Sequence, residues 1–234
     1  MAINVETLKT RATTAVIFVV VMMGGLLWNQ WSFLALFVLV HFGCWYEFIK
    51  LLKKIYGAEY LKYTLFGLLY ITMPIVMILD LRNVWSPFEG LKMHNDFGVT
   101  IPLAIIFSIW INDTMAYLVG SFIGKTPFSK ISPKKTWEGT IGGAILCVLL
   151  IGFLFPLLAE RYFFPFAQKQ IYFIIAAICA VFGTLGDLLE SKLKRMADVK
   201  DSGAIMPGHG GFLDRFDSLL IATPVVWLYI KLFL

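Results

Sequence analysis

The sequence predicts an all-α, polytopic integral membrane protein with about seven spanning helices and a cytoplasmic N-terminus. Three observations predict it: the composition, the spacing of the apolar runs and the placement of Lys and Arg. Of 234 residues, 59% are hydrophobic and 15% charged, with a mean hydropathy of +0.79. A soluble domain is roughly half apolar and about a quarter charged, so lipid must cover part of this surface. A helix crosses the hydrocarbon core with roughly 17 to 25 apolar residues, and runs of that size fall near 12–28, 31–49, 63–81, 99–119, 139–159, 171–189 and 216–234. The short connections leave no room for a separate soluble domain. The chain reads as one membrane domain, 1–234, with N-terminal helices over 1–98 and a chemistry-bearing part over 99–234.

The basic residues set the orientation, because Lys- and Arg-rich short loops stay on the cytoplasmic side. Alternate connections hold Lys9 and Arg11; Lys50, Lys53, Lys54 and Lys62; Lys125, Lys130, Lys134 and Lys135; and Lys192, Lys194, Arg195, Lys200 and Arg215, which is 15 of the 20 Lys and Arg. The other side keeps Arg82, Lys92, Arg161, Lys169 and Lys231. This predicts an N-in, C-out chain with an odd number of spans, and places the longest loops, 120–139 and 190–215, on the cytoplasmic face. The net charge of +5 would suggest nucleic acid in a soluble protein, but here topology and anionic lipid account for it, and no nucleic-acid partner is expected. Cys44, Cys147 and Cys179 lie inside apolar runs without CxxC spacing and read as buried fillers. Lys9 and Arg11 precede the first apolar run as in a signal peptide, but no small-x-small site follows, so a retained helix is expected. The turn signals Ser86-Pro87 and Glu89-Gly90 mark the third connection.

Charges inside apolar runs cost about 2.5 to 3.5 kcal/mol each on insertion scales, so they ask for a purpose. Asn112-Asp113 lies in the fourth run, roughly 10 Å from its cytoplasmic end at 1.5 Å per residue, and reads equally as a helix–helix hydrogen bond or a site residue. His41 and Glu47 in the second run read as internal polar glue. If the sixth helix continues past the membrane, Asp187, Glu190, Ser191 and Lys194 follow i, i+3, i+4, i+7 and share one face. Asp214 and Asp217 are i, i+3 neighbours at a helix start, where the positive end of the dipole tolerates anions. Hard oxygen donors of this kind suit Mg²⁺, which takes one or two carboxylates and completes its shell with water and phosphate oxygens. The competing reading is a structural ion pair of these carboxylates with Lys194 or Arg215.

Two loops carry the remaining signals. Pro207-Gly208-His209-Gly210-Gly211, flanked by Lys200-Asp201 and Asp214-Arg215-Phe216-Asp217, offers backbone amides that approach a phosphate without a Cβ in the way; His209 reads equally as a loop hydrogen-bonder. Gly124-Lys125 and Ser132-Pro133-Lys134-Lys135-Thr136-Trp137-Glu138-Gly139 could grip a polyphosphate or lipid phosphate by charge and hydroxyl. Positive-inside retention explains lysines anywhere in that loop but not their compact arrangement.

The run from Ser191 to Asp217, SKLKRMADVKDSGAIMPGHGGFLDRFD, resembles the signature of the CDP-diacylglycerol synthases, or phosphatidate cytidylyltransferases. Asn112-Asp113 with Ala116-Tyr117, and Ile131 to Gly139, are similar to the family's upstream segment, so the resemblance covers roughly the C-terminal half. The chain departs from the pattern in Met206, where Leu or Ile is usual, and in being short. The resemblance implies transfer of a cytidylyl group from CTP to phosphatidate with a divalent cation, for which the residues suit Mg²⁺, in a homodimer, with a second, monovalent cation left open; the compact form of the chain leads us to expect a bacterial inner membrane. On this reading Asp187 and Asp214 are metal ligands, with Asp217 and Glu190 as secondary candidates. Lys194, Arg195, Lys200, Lys134, Lys135 and Arg215 meet phosphates, Ser191 hydrogen-bonds one, and His209, Gly210 and Gly211 line the phosphate loop. A CTP-dependent lipid kinase would release CDP instead. A transporter would spread polar groups through several spans, whereas here they gather at one end.

Overall fold

The computed structural model describes residues 5–82, 98–162, 169–206 and 210–233. These residues are mainly helical: α1 (Val5–Leu27), α2 (Gln30–Tyr56), α3 (Tyr60–Thr64), α4 (Met73–Leu81), α5 (Thr100–Ile123), α6 (Trp137–Tyr162), α7 (Lys169–Met196) and α8 (Leu213–Phe233). No strand forms among them, and β pairing is limited to the isolated bridges Pro127 with Thr136 and Met206 with Gly210. The all-α membrane class is therefore as expected. Five helical stretches are long and apolar enough to cross a membrane: Gln30–Thr64, Thr100–Ile123, Trp137–Leu158, Lys169–Met196 and Leu213–Phe233. Two shorter apolar helices, Ala12–Leu27 and Leu68–Leu81, stand at the first and third expected runs. The turn expected at 86–90 lies outside the described residues.

Local chemistry sets the boundaries. Asn29 opens α2 with a reciprocal capping box, its Oδ1 accepting from Ser32 N at 2.8 Å and its own N–H donating to Ser32 Oγ at 3.0 Å, which satisfies amides that a helix start leaves open. α2 runs seven residues past the expected 49 and stops at Gly57, whose φ of 55° is cheap only for glycine. The third run breaks into a π-turn, Leu68–Thr72, before α4. Pro74 in the first turn of α4 starts a helix well but cannot continue one from upstream. His41 Nε2 and Trp45 Nε1 both meet Thr72 Oγ1 at 3.0 Å, so His41 is the polar glue expected of it. α7 extends to Met196, as the shared-face argument required, and ends where Asp198 takes a φ of 52° and Val199 N bonds to Lys194 O at 3.0 Å. Asp is among the few side chains that tolerate this left-handed exit.

Small residues let the helices meet. Gly139 and Gly143 of α6 lie against Ala116 and Gly120 of α5, so close that a Cβ on Gly143 would stand 2.5 Å from the Ala116 nitrogen. This is the small-xxx-small packing of membrane helices. Gly186 of α7 likewise lies on the α8 backbone, where an added Cβ would stand 2.9 Å from Ser218 Cα, and Ser218 Oγ donates to Gly183 O at 3.0 Å. The three cysteines are buried and free, as expected; Cys147 Sγ donates to Ser108 O at 3.1 Å.

At the end of the bundle away from these loops, α4 and α8 are joined by a buried charge pair that the sequence did not connect. Asp80 Oδ2 accepts from Trp227 Nε1 at 2.7 Å and lies 2.9 Å from Lys231 Nζ, with side chains only 2% and 6% exposed. Removing one partner of a buried pair strands the other charge and costs about 3 to 5 kcal/mol. Lys231→Met is expected to lower the melting temperature of the detergent-solubilised protein clearly, and adding Asp80→Asn is expected to restore most of the loss; a double variant that melts no higher than Lys231→Met contradicts this.

Candidate active site

The site is built on the C-terminal ends of α5 and α7 and the N-terminal ends of α6 and α8. α7 carries Asp187, Glu190, Ser191 and Lys194 on one face, and the contacts show it: Ser191 Oγ donates to Asp187 Oδ1 at 3.2 Å, and Lys194 Nζ lies 2.5 Å from Glu190 Oε2. Because Gly186 brings α8 so close, the first turns of α8 set Asp214 and Asp217 beside that face. Lys194 Nζ also reaches Asp214 Oδ1 at 2.6 Å, so one ammonium bridges the two helices. Oxygen atoms of Asp187, Glu190 and Asp217 all lie within 4.8 Å of one another. Glu190 is fully buried, and beyond its ion pair neither of its carboxylate oxygens has a hydrogen-bond partner. Three carboxylates this close repel strongly in a medium of low dielectric, so the cluster is suited to a cation.

Asp214, expected beside Asp187 as a ligand, stands outside that trio. Its Oδ2 accepts from Gly211 N at 2.7 Å, Ser202 N at 2.9 Å and Ser202 Oγ at 2.8 Å, while its Oδ1 takes Lys194. From the first turn of α8 it ties down the preceding loop. Gly210 and Gly211 serve the same end. Gly210 has a φ of 83°, a conformation that glycine alone adopts freely, and this turns the Gly211 amide onto Asp214. Pro207, Gly208 and His209 lie outside the described residues.

The lysine-bearing loop between α5 and α6 is folded by its own sequence. Thr136 caps α6, its Oγ1 accepting from Gly139 N at 3.1 Å. Glu138 accepts from Lys125 N at 3.1 Å, Thr126 N at 3.1 Å and Thr126 Oγ1 at 2.7 Å. Phe128 N donates to Lys135 O at 2.8 Å and Trp137 N to Thr126 O at 2.9 Å, and Phe128 meets the Trp137 ring at 4.5 Å between centroids. The result places Lys135 in an ion pair with Asp187, which joins this loop to the carboxylates of α7 and α8.

Several of these groups line one cavity of about 730 Å³, while Glu190 and Ser191 stand behind its wall. Its walls include Lys134, Lys135, Asp187, Lys194, Asp214 and Asp217, and also Asn112, Asp113, Asp201 and Arg215. Arg195 and Lys200 are exposed and take no part in the wall. α5 continues to Ile123, so Asp113 sits about 15 Å from its end, deeper than the 10 Å expected. Asn112 is 4% exposed with its Oδ1 unpartnered. A second cavity of about 350 Å³, with Phe18, Val19 and Trp110 among its walls, shares Asp113 and Arg215 with the first. Sequence reasoning missed Glu138 and Ser202 as supports. It assigned Glu47 no site role, although Glu47 accepts from Ser202 Oγ at 2.7 Å and from Phe212 N and Leu213 N at 3.0 and 2.9 Å. A carboxylate within an apolar run was the available signal; partners 155 to 166 residues away were not readable.

Residues 60–233 match the pattern of the Cytidylyltransferase family. The chain belongs to the cytidylyltransferase family. Among members of this family, it is 33% identical to the phosphatidate cytidylyltransferase of Rickettsia felis across 97% of this chain and 94% of that protein. It is 36% identical to the Bacillus subtilis phosphatidate cytidylyltransferase over 78% of this chain and 63% of that protein, and 40% identical to the Thermotoga maritima enzyme of the same name over 61% and 53%. The chain thus spans a little over half of the longer two relatives and nearly all of the first. The cytidylyltransferase match starts at residue 60, well before the C-terminal half to which the signature had confined the resemblance. It takes in every residue from Asn112 to Asp217 discussed above and leaves Glu47 outside.

The loop architecture makes Glu138 the residue on which the placement of Lys134 and Lys135 depends. Glu138→Ala is expected to speed tryptic cleavage within 125–135 several-fold in lipid nanodiscs, because three of the loop's donors lose their acceptor. Cleavage at the native rate speaks against this role.

Proposed function

We propose that this protein transfers the cytidylyl group of CTP to phosphatidate, releasing pyrophosphate and CDP-diacylglycerol for phospholipid biosynthesis. It is an integral membrane protein, and the proposal places it in a bacterial inner membrane, as a homodimer, with the site facing the cytoplasm. The observation that carries the reading is the Lys135–Asp187 pair, through which the lysine loop and the carboxylate helices form one cavity. Polyanionic reactants need that combination, cations to hold phosphates and carboxylates to hold a divalent ion. The names of the relatives support it, and the basic loops support the orientation. The apolar second cavity meets the polar one at Asp113 and Arg215, a junction that suits a substrate with a phosphate head and a lipid body.

The residues fit Mg²⁺: Asp187, Asp217 and Glu190 would hold it, since their oxygens gather within 4.8 Å and the buried Glu190 has no partner beyond its ion pair with Lys194. Bound there, the ion would neutralise phosphoryl and leaving-group oxygens. The protein's own groups do the rest. A phosphatidate phosphate is already ionised at neutral pH, so its oxygen attacks the α-phosphorus in line without a strong base, the new P–O bond forms, and the bond to pyrophosphate breaks with its electron pair leaving on oxygen. Lys134, Lys135 and Lys194 orient the polyphosphate and offset the growing charge. Ser191 hydrogen-bonds a phosphate oxygen, and Arg215 meets the lipid phosphate at the junction. Asp214 acts here by holding Lys194 and the loop, and Arg195 and Lys200 make the approach basic.

Purified protein in detergent with CTP, phosphatidate and Mg²⁺ is expected to release pyrophosphate and to stop on chelation with EDTA. Asp187→Ala and Asp217→Ala are each expected to lower turnover by at least about 100-fold while remaining folded, the scale of losing a principal electrostatic contact. Near-native turnover in either variant removes it from the ligand set. Release of CDP in place of pyrophosphate identifies a lipid kinase and sinks the assignment.

A further inference from the structure

Glu47 lies in α2, outside the matched family region and about 155 residues before the loop it touches. The residue is 3% exposed, and a carboxyl group so buried is costly unless its oxygens are hydrogen-bonded. Both oxygens are bonded here. Phe212 N and Leu213 N, at the start of α8, donate to its two oxygens at 3.0 and 2.9 Å, which places the carboxylate at the positive end of that helix. Gly203 and Gly211 lie flat against the same carboxylate, so that a Cβ on either would collide with it, and Gly43, one turn earlier on α2, leaves the space that the Phe212 ring fills. The third donor is Ser202 Oγ, 2.7 Å from Glu47 Oε2 and 2.8 Å from Asp214 Oδ2. One hydroxyl proton is shared between two carboxylates, and Asp214 in turn holds Lys194 at 2.6 Å. An unbroken polar chain therefore runs from Glu47 through Ser202 and Asp214 to Lys194 at the cavity wall.

We propose that Glu47 is a positioning residue of the transfer site: it fixes Ser202, Gly203 and Gly211–Leu213 against α2 and, through the Ser202 hydroxyl, sets the Asp214 carboxylate that orients Lys194. The inference rests on the cytidylyl-transfer reading for its kinetic consequence but not for its structural one. Glu47 touches no reactant; it acts through other groups. Displacing a phosphate-orienting ammonium by about 1 Å is enough to cost up to about 100-fold in rate, whereas the amount of nucleotide bound at equilibrium depends on several cations at once.

The test uses Glu47→Gln, which keeps the size of the side chain but replaces one acceptor oxygen with a donor, together with Ser202→Ala and the double variant. Glu47→Gln is expected to melt near the native temperature, to lose about 10- to 100-fold in kcat, and to keep its KM for CTP within about threefold. Ser202→Ala is expected to lose a similar factor, and the double variant little more than either, because the two act in one chain; Glu47→Asp is expected to recover part of the loss. Amide hydrogen exchange over 197–214, read without substrate, is expected to quicken in Glu47→Gln. A native kcat in Glu47→Gln, or losses that multiply in the double variant, overturns the proposal. Should Glu47→Gln not fold, Ser202→Ala alone decides, and native kcat there overturns it equally. If the native protein releases no pyrophosphate, the transfer reading fails on its own; unchanged exchange in Glu47→Gln then overturns the positioning role, and faster exchange upholds its structural half.

Discussion

The structure depends on bringing carboxylates together where α7 meets α8 and keeping them from driving the helices apart. Asp187, Glu190, Asp214 and Asp217 converge there, Glu190 without exposure and Asp217 at 9%. Lys194 bridges Glu190 to Asp214 and Lys135 pairs with Asp187. Each ammonium comes from a different segment, so charge neutralisation and tertiary assembly are one event. The same arrangement suits the proposed transfer, because groups that neutralise carboxylates would also meet incoming phosphates if a cation were held by the acidic trio.

That convergence is possible because side chains are missing at the right places. Gly186 lets the α8 backbone approach α7, and Gly139 and Gly143 let α6 settle against Ala116 and Gly120 of α5. In lipid there is no hydrophobic force pushing apolar helices together, so close backbone packing and hydrogen bonds such as Ser218 to Gly183 provide the association. The loops between the helices are then held from within, by Thr136 and Glu138 on one side and by Asp214 and Glu47 on the other. A carboxylate in the first turn of a helix appears twice in this role, Glu138 in α6 and Asp214 in α8, each time accepting from amides of the adjoining loop.

Much of this was legible beforehand. The apolar runs located the helices to within a few residues except that α1 starts seven residues before its expected start and α2 and α7 each run seven residues past their expected ends, since charged residues such as Lys53 and Lys54 interrupt the hydropathy but not the backbone hydrogen bonding. The third run broke at a proline visible in the sequence. The i, i+3, i+4, i+7 face of α7 was read correctly because helical periodicity is a local property. The division of labour among the carboxylates was not legible: Asp214 and Asp217 are near neighbours in sequence, yet one accepts four hydrogen bonds from the loop and Lys194 while the other belongs to the acidic trio.

The sequence by itself determined a helical membrane protein, its basic loops and the signature of its family, because hydropathy, helical period and charge placement are carried by neighbouring residues. Only the tertiary structure decided which acidic groups share a cluster, that Lys135 reaches Asp187, and that Glu47 braces the start of α8. Those facts depend on how closely helices distant in sequence approach, and that distance is set by glycine contacts and buried hydrogen bonds that no local pattern encodes.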